Sequence, residues 1–250
     1  MTAGGDTNRL EAQTDASAGA RRSLVLTCEH GGNVIPEEYA HVFSSHGARE
    51  ALSSHRGLDI GALALANALA RRFDAPLIAS EVSRLLCDLN RSLNNAGLFS
   101  DFALGLTPAE REAVLGRHYH PHRQRVELEL GRRLGRGVLH LAVHSFTPEL
   151  RGEVRRADIG LLYDPARPEE TAWCERYKQV LSRLAPDLRV RRNYPYLGKT
   201  DGLATFLRRK YPATSYVGVE LEVNQALLTG AEAKRDQVLA ALADGLAELL

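Results

Sequence analysis

Residues 23–33, Ser-Leu-Val-Leu-Thr-Cys-Glu-His-Gly-Gly-Asn, decide the fold. A short apolar run ends abruptly at Glu29-His30 and passes at once into Gly31-Gly32-Asn33, as a buried strand feeding a tight loop does. Outward from it, LDIGALALANALARRF from Leu58 has helical spacing, with Asp59 near its start, where a carboxylate suits the helix dipole. A strand predicted over 76–80 then completes a βαβ-like unit.

The alternation continues along the chain. Thr107-Pro108-Ala109-Glu110 is a helix start, with Thr as cap, Pro first and Glu three residues after the cap. That helix is predicted to run towards Leu134 with a break at Pro121. Further strands are predicted at 137–144, 159–163, 188–192 and 217–223, a loop at 145–152, and helices at 169–184, 200–209 and 231–250. The expectation is an α/β fold with a mainly parallel, mixed sheet and helices on both faces. One domain over 23–250 is expected, after a disordered arm at 1–22 that has no apolar period.

Composition excludes several functions. A chain of 250 residues with 44% hydrophobic and 25% charged content buries one sizeable core. Its 32 basic and 31 acidic side chains nearly cancel, and no basic stripe is laid out for a phosphate backbone, so nucleic acid is not expected as a partner. No apolar segment at the N-terminus suggests a secretion signal, and no run of about 18 apolar residues suggests a membrane span. Cys28, Cys87 and Cys174 are too far apart for a CxxC pair and odd in number, which fits a reducing, cytoplasmic setting. Gly198-Lys199-Thr200 lacks the upstream glycine of a P-loop because position 193 is Asn. Nothing in the sequence indicates an oligomeric state.

In an open α/β sheet, ligands bind beyond the carboxyl ends of the strands. Polar residues gather there at Glu29-His30, Asp88-Leu-Asn90-Arg91, His144-Ser145 and Glu220-Leu-Glu222. His30 and His144 with one carboxylate would form a three-ligand site that leaves a position open, as catalytic zinc requires. HExxH is absent. His140 and His144 would stand about 13 Å apart on a strand, so only one of them can be a ligand, and His144 is at the strand end. His118, His120 and His122 alternate along a helix, diverging by about 200° per pair, and are expected to be solvated or partly buried rather than metal-binding.

The blocks CEHGGNVIP, HRGLDIGA, SRLLCDLNRS, HLAVHSFTP, RRADIGLLYDP, RRNYPYLGKTDG and GVELEVNQ occur in one order across residues 23–230. In that order the chain resembles the N-formylglutamate amidohydrolase family, and more distantly the zinc carboxypeptidase and aspartoacylase architecture. The resemblance implies a metal-dependent amidohydrolase holding zinc or another divalent ion, with a small carboxylate-bearing amide as substrate. The wider group takes its first ligand pair from HxxE, but here the fourth position is Asn33, a poor zinc ligand. Asp59 is therefore the first candidate for the third ligand beside His30 and His144, and Glu29 the second.

Asn90 and Arg91 match a pair that grips substrate carboxylate, a task suited to a guanidinium fork. Arg84 is expected to polarise the scissile carbonyl. Glu222, favoured over Glu220 on the same strand face, is the expected general base. Arg155 falls in a matching block and is expected to bind substrate; Asp158, Asn193, Tyr196 and Asp201 match without an assignable role. Two other functions fit the same residues: a metallopeptidase or amidase on peptide or peptidoglycan ends, and a non-catalytic carboxylate-binding protein.

Overall fold

Ser23–Cys28 forms strand β1, five of its six residues buried, as its apolar run requires. The computed structural model describes residues 22–250, so the predicted arm lies outside the described residues except for Arg22. After β1 come helices α1 (His46–Leu52) and α2 (Ala62–Phe73), strand β2 (Leu77–Ala79), and helices α3 (Pro108–Val114) and α4 (His120–Gly131). Strand β3 (Val138–Phe146) leads to a small hairpin of β4 (Glu149–Leu150) and β5 (Glu153–Val154), where the sequence suggested a plain loop. The chain closes with β6 (Ile159–Leu162), α5 (Pro168–Leu184), β7 (Val190–Arg192), α6 (Leu203–Lys210), β8 (Tyr216–Asn224), α7 (Gln225–Thr229) and α8 (Glu232–Ala247).

One mixed six-stranded sheet results, in the order β2-β1-β3-β8-β6-β7. All its pairings are parallel except β6 against β8. Strand alternation divides the side chains between two faces. Leu24, Leu26 and Cys28, with Leu139, Leu141 and Val143 and with Val217, Val219, Leu221 and Val223, pack under α2, α5 and α8. The opposite face is apolar only at its amino end, where Val25, Val138 and Tyr216 meet Val126 and Leu130 of α4 and Leu203 and Leu207 of α6. Towards the carboxyl ends that face turns polar, through Glu29, His144, Glu220 and Glu222.

The predicted capping box is present, with Thr107 and Glu110 bonded reciprocally. The predicted break at Pro121 takes the form of a π-helical turn over Leu115–Tyr119 between α3 and α4. A wider turn accommodates a proline that lacks the donor for a regular helical bond.

His140 is a core histidine, as expected: fully buried, its ring nitrogens lie 2.9 Å from the Thr27 hydroxyl and 2.8 Å from that of Tyr216. Burial, against the attraction of Glu29, pushes its pKa down to about 4. The unfolded chain therefore takes up this proton first on acidification. The stabilisation is complete above about pH 6.5 and is lost as pH falls towards 4, up to about 3 kcal/mol. Urea titrations should show the parent losing more stability than His140→Gln across that interval. Equal losses would contradict the assignment.

Glu170 and Arg208 form a buried pair joining α5, α6 and β8. Arg208 Nε donates to both Glu170 oxygens at 3.0 and 3.1 Å, and the other Arg208 donors reach the Gly198 and Gly218 carbonyls. Glu170→Ala strands a buried guanidinium and is expected to cost about 3–5 kcal/mol, read as a lower urea midpoint. An unchanged midpoint would show that the pair contributes nothing to stability.

Candidate active site

Sheet register sets three segments side by side. Parallel pairing places Thr27 of β1 beside Ala142 of β3, so Glu29 and His30 emerge near His144, which is opposite Glu222 of β8. Gly160 of β6 is opposite Glu222 on its other side. A Cβ at Gly160 would come within 2.0 Å of the Tyr194 carbonyl oxygen, so only glycine admits the 193–201 loop over the cavity.

Asp59 arrives by a turn. Its N–H donates to the His30 carbonyl at 2.9 Å, and Gly61, with a φ of +83°, starts α2 only after that turn is made. The Asp59 carboxylate consequently faces the histidines rather than complementing the helix dipole. His30, Asp59 and His144, all buried, bring ligand atoms within 4.8 Å of one another. Asp59 Oδ2 lies 3.4 Å from His30 Nδ1 and 2.8 Å from His144 Nδ1. The other ring nitrogens face different carboxylates: His30 Nε2 is 2.7 Å from Asp88 Oδ1, and His144 Nε2 is 3.2 Å from Glu29 Oε2. Glu29, the second candidate for third ligand, thus lies on the far side of His144 from Asp59.

Electrostatics hold these carboxylates charged. Burial would raise Asp59 and Asp88, but His30 and His144 around the first, and Arg84 and His30 beside the second, hold both well below the usual carboxylate range. Glu29 is likewise lowered against burial by His122 and His144. Burial lowers His144, yet Asp59 and Glu29 together raise it well above its ordinary value. Two imidazole nitrogens and a carboxylate oxygen, within 4.8 Å of one another and backed by further buried carboxylates, are a donor set that fits a divalent cation. Glu222 lies across the strands from His144 with Oε2 buried and without a hydrogen-bond partner among the described residues. Burial, opposed by His144 and reinforced by Asp59 and Glu220, pushes it up to about 7. Glu220 is only partly buried and also raised by burial.

These groups open on a cavity of about 190 Å³ whose walls include Arg84, Asn90, Arg91, Tyr196, Asp201 and Gln225. Arg84 is less free than expected, because its Nη2 donates to Asp88 at 2.8 Å and its Nη1 to Asp59 at 3.3 Å. Arg91 Nη1 donates to the Asp201 carbonyl at 2.8 Å, and Asn90 Oδ1 accepts from Leu203 N at 2.7 Å. Arg155 does not line the cavity. Its guanidinium lies over Phe146 and Tyr196, two residues of the cavity wall, and its Nη2 donates to the Tyr196 hydroxyl at 3.1 Å.

His118 and His120 diverge as expected, packing edge-on to Tyr39 and Tyr119. His122 does not share their fate: it is buried, with Nε2 3.6 Å from Glu29 Oε1. Sequence spacing could rule out convergence of the three histidines but could not place one of them under the sheet. Asp88 as the partner of His30 was also missed, although it stands in one of the strand-end blocks. Asn193 adopts a φ of +49°, and its Oδ1 accepts from the Tyr163 and Gly198 amides, so it holds the loop. Asp158 pairs with Arg189.

A clustered His/Asp/His set on the polar half of a mixed sheet, facing a small cavity lined by Arg84 and Arg91 together with four carboxylates, is an arrangement suited to holding a divalent cation rather than a nucleotide. The family follows from the sequence as a whole: the N-formylglutamate amidohydrolase model matches residues 22–229, and the chain belongs to that family. Among solved structures, a gene product of Agrobacterium tumefaciens is 29% identical with a TM-score of 0.77, the match covering 92% of this chain and 91% of that one. N-formylglutamate amidohydrolase from Ralstonia eutropha shares the fold at 21% identity and a TM-score of 0.63, covering 92% and 95% of the two chains. No curated protein gives a significant sequence match. No helix among the described residues is long and apolar enough to cross a membrane.

Proposed function

We propose that residues 23–250 act in the cytoplasm as a metal-dependent hydrolase of N-formylglutamate or a closely related N-acyl amino acid. The observation that carries this reading is the convergence of His30, Asp59 and His144 beneath a cavity walled by Glu222 and Arg91. A divalent cation held by those three residues, zinc being the best match to the donor set, would acidify water and polarise the amide carbonyl.

The chain's own groups supply the rest. Glu222 takes a proton from the attacking water as its oxygen bonds to the acyl carbon, then gives that proton to the departing nitrogen as the C–N bond breaks. For N-formylglutamate the products are formate and glutamate. Arg84, anchored on Asp59 and Asp88, contributes positive charge at the cavity wall against the developing oxyanion. Arg91, with Asn90, orients a substrate carboxylate. Arg155 acts on substrate through Tyr196, whose hydroxyl it fixes. A cavity of about 190 Å³ favours a small amide over a peptide or peptidoglycan end, since it is smaller than typical drug-sized sites.

A screen of N-formyl and N-acetyl amino acids with zinc-supplemented protein tests the substrate. N-formylglutamate should be turned over best; cleavage of peptide ends without any N-acyl amino acid hydrolysis would replace this reading with the metallopeptidase one. Arg91→Lys keeps the charge but not the planar fork. Losing one charge-assisted hydrogen bond, about 1.5–3 kcal/mol, should lower kcat/KM by about 10–100-fold on carboxylate-bearing substrates. Unchanged efficiency would leave Arg91 as a tether for Asp201.

A further inference from the structure

We infer that Glu29 and His122 are positioning residues for the cation site: Glu29 fixes the ring of His144 with its proton on Nε2, and His122 holds Glu29 in place. The inference rests on the reading of His144 as a ligand. It goes beyond that reading by giving a role to two buried residues that face away from the cavity.

A neutral imidazole has one proton and one free lone pair. His144 Nδ1 is the nitrogen nearest Asp59, so presenting its lone pair there requires the proton on Nε2. His144 is 3% exposed, and an Nε2–H without an acceptor would be a costly orphan in so dry a place. Glu29 Oε2 lies 3.2 Å away, and Glu29 is itself fully buried. Its second oxygen has His122 Nε2 at 3.6 Å. Among the described residues none of these four buried atoms completes a hydrogen bond, and the groups they face at these distances are one another.

The other histidine supplies an internal comparison. His30 Nε2 is backed by Asp88, and Asp88 is held by Arg84 at 2.8 Å. Each imidazole therefore has a carboxylate behind it, and each carboxylate has a nitrogen donor behind it. Arg84 fills the last place on one side and His122 fills it on the other. His122 reaches that place because α4 packs against β1 on the sheet face that carries Glu29.

Zinc competition against a chromophoric chelator, together with ¹⁵N NMR of the histidine rings in zinc-loaded protein, tests the inference. The parent should show His144 metallated at Nδ1 and protonated at Nε2. Glu29→Gln should weaken zinc binding by about 10–100-fold while circular dichroism stays native. His122→Phe should weaken it by a smaller factor in the parent and add nothing in the Glu29→Gln background, because it acts only through Glu29. Zinc on His144 Nε2 overturns the inference, with no variant needed. A folded Glu29→Gln protein that binds zinc within about twofold of the parent also overturns it. A parent that binds no zinc removes the proposed cation site itself, an outcome distinct from either.

Discussion

Glu222→Gln is expected to keep the fold and the bound cation but to lose about 10²–10⁴-fold in kcat, the usual cost of removing a general base. Gln preserves the shape of the side chain but cannot take the proton of water. Glu222 is 5% exposed, directly across from His144, with Oε2 unpartnered among the described residues. Glu220→Gln is the control. It lines the same cavity two residues earlier on the same strand face, but its register neighbour is Ala142 rather than His144. A dead Glu220→Gln enzyme beside a nearly normal Glu222→Gln one would exchange their roles. Two fully active variants would remove carboxylate base catalysis from the account.

The second large effect concerns the cation. His30→Ala, His144→Ala and Asp59→Ala each remove one of three donors, and a two-donor remnant should retain little metal through gel filtration against a weak chelator. Asp59→Ala should be the more damaging of the two carboxylate changes, because Asp59 Oδ2 lies within 3.4 Å of both imidazoles on the cavity side, while Glu29 is behind His144. Turnover should fall with metal content. Full metal content in His30→Ala or His144→Ala, read by elemental analysis, would show the ligand set to be wrong.

Much of this was legible because β1, β3 and β8 are buried on both faces and read as apolar runs, so the polar residues at their ends stood out as His30, His144 and Glu222. Their convergence follows from parallel pairing of β1, β3 and β8. The antiparallel direction of β6 was not legible, since four buried residues read alike either way. Asp59 could equally have served the dipole of α2; the left-handed Gly61 and the bond to the His30 carbonyl turn it inward instead. His122 needed the packing of α4, which spacing alone does not contain. Arg155 follows a hairpin that read as loop, and its position behind Tyr196 depends on where that hairpin returns.

The central claim, amide hydrolysis that depends on a cation at His30, Asp59 and His144, is tested most directly by one titration. Protein stripped with a strong chelator is titrated with zinc, and formate release from N-formylglutamate is measured at each step. The account predicts negligible release from the stripped protein and activity that rises linearly to a plateau at one equivalent of zinc. Stripped protein, verified metal-free, that hydrolyses the substrate as fast as the zinc-loaded form would contradict it.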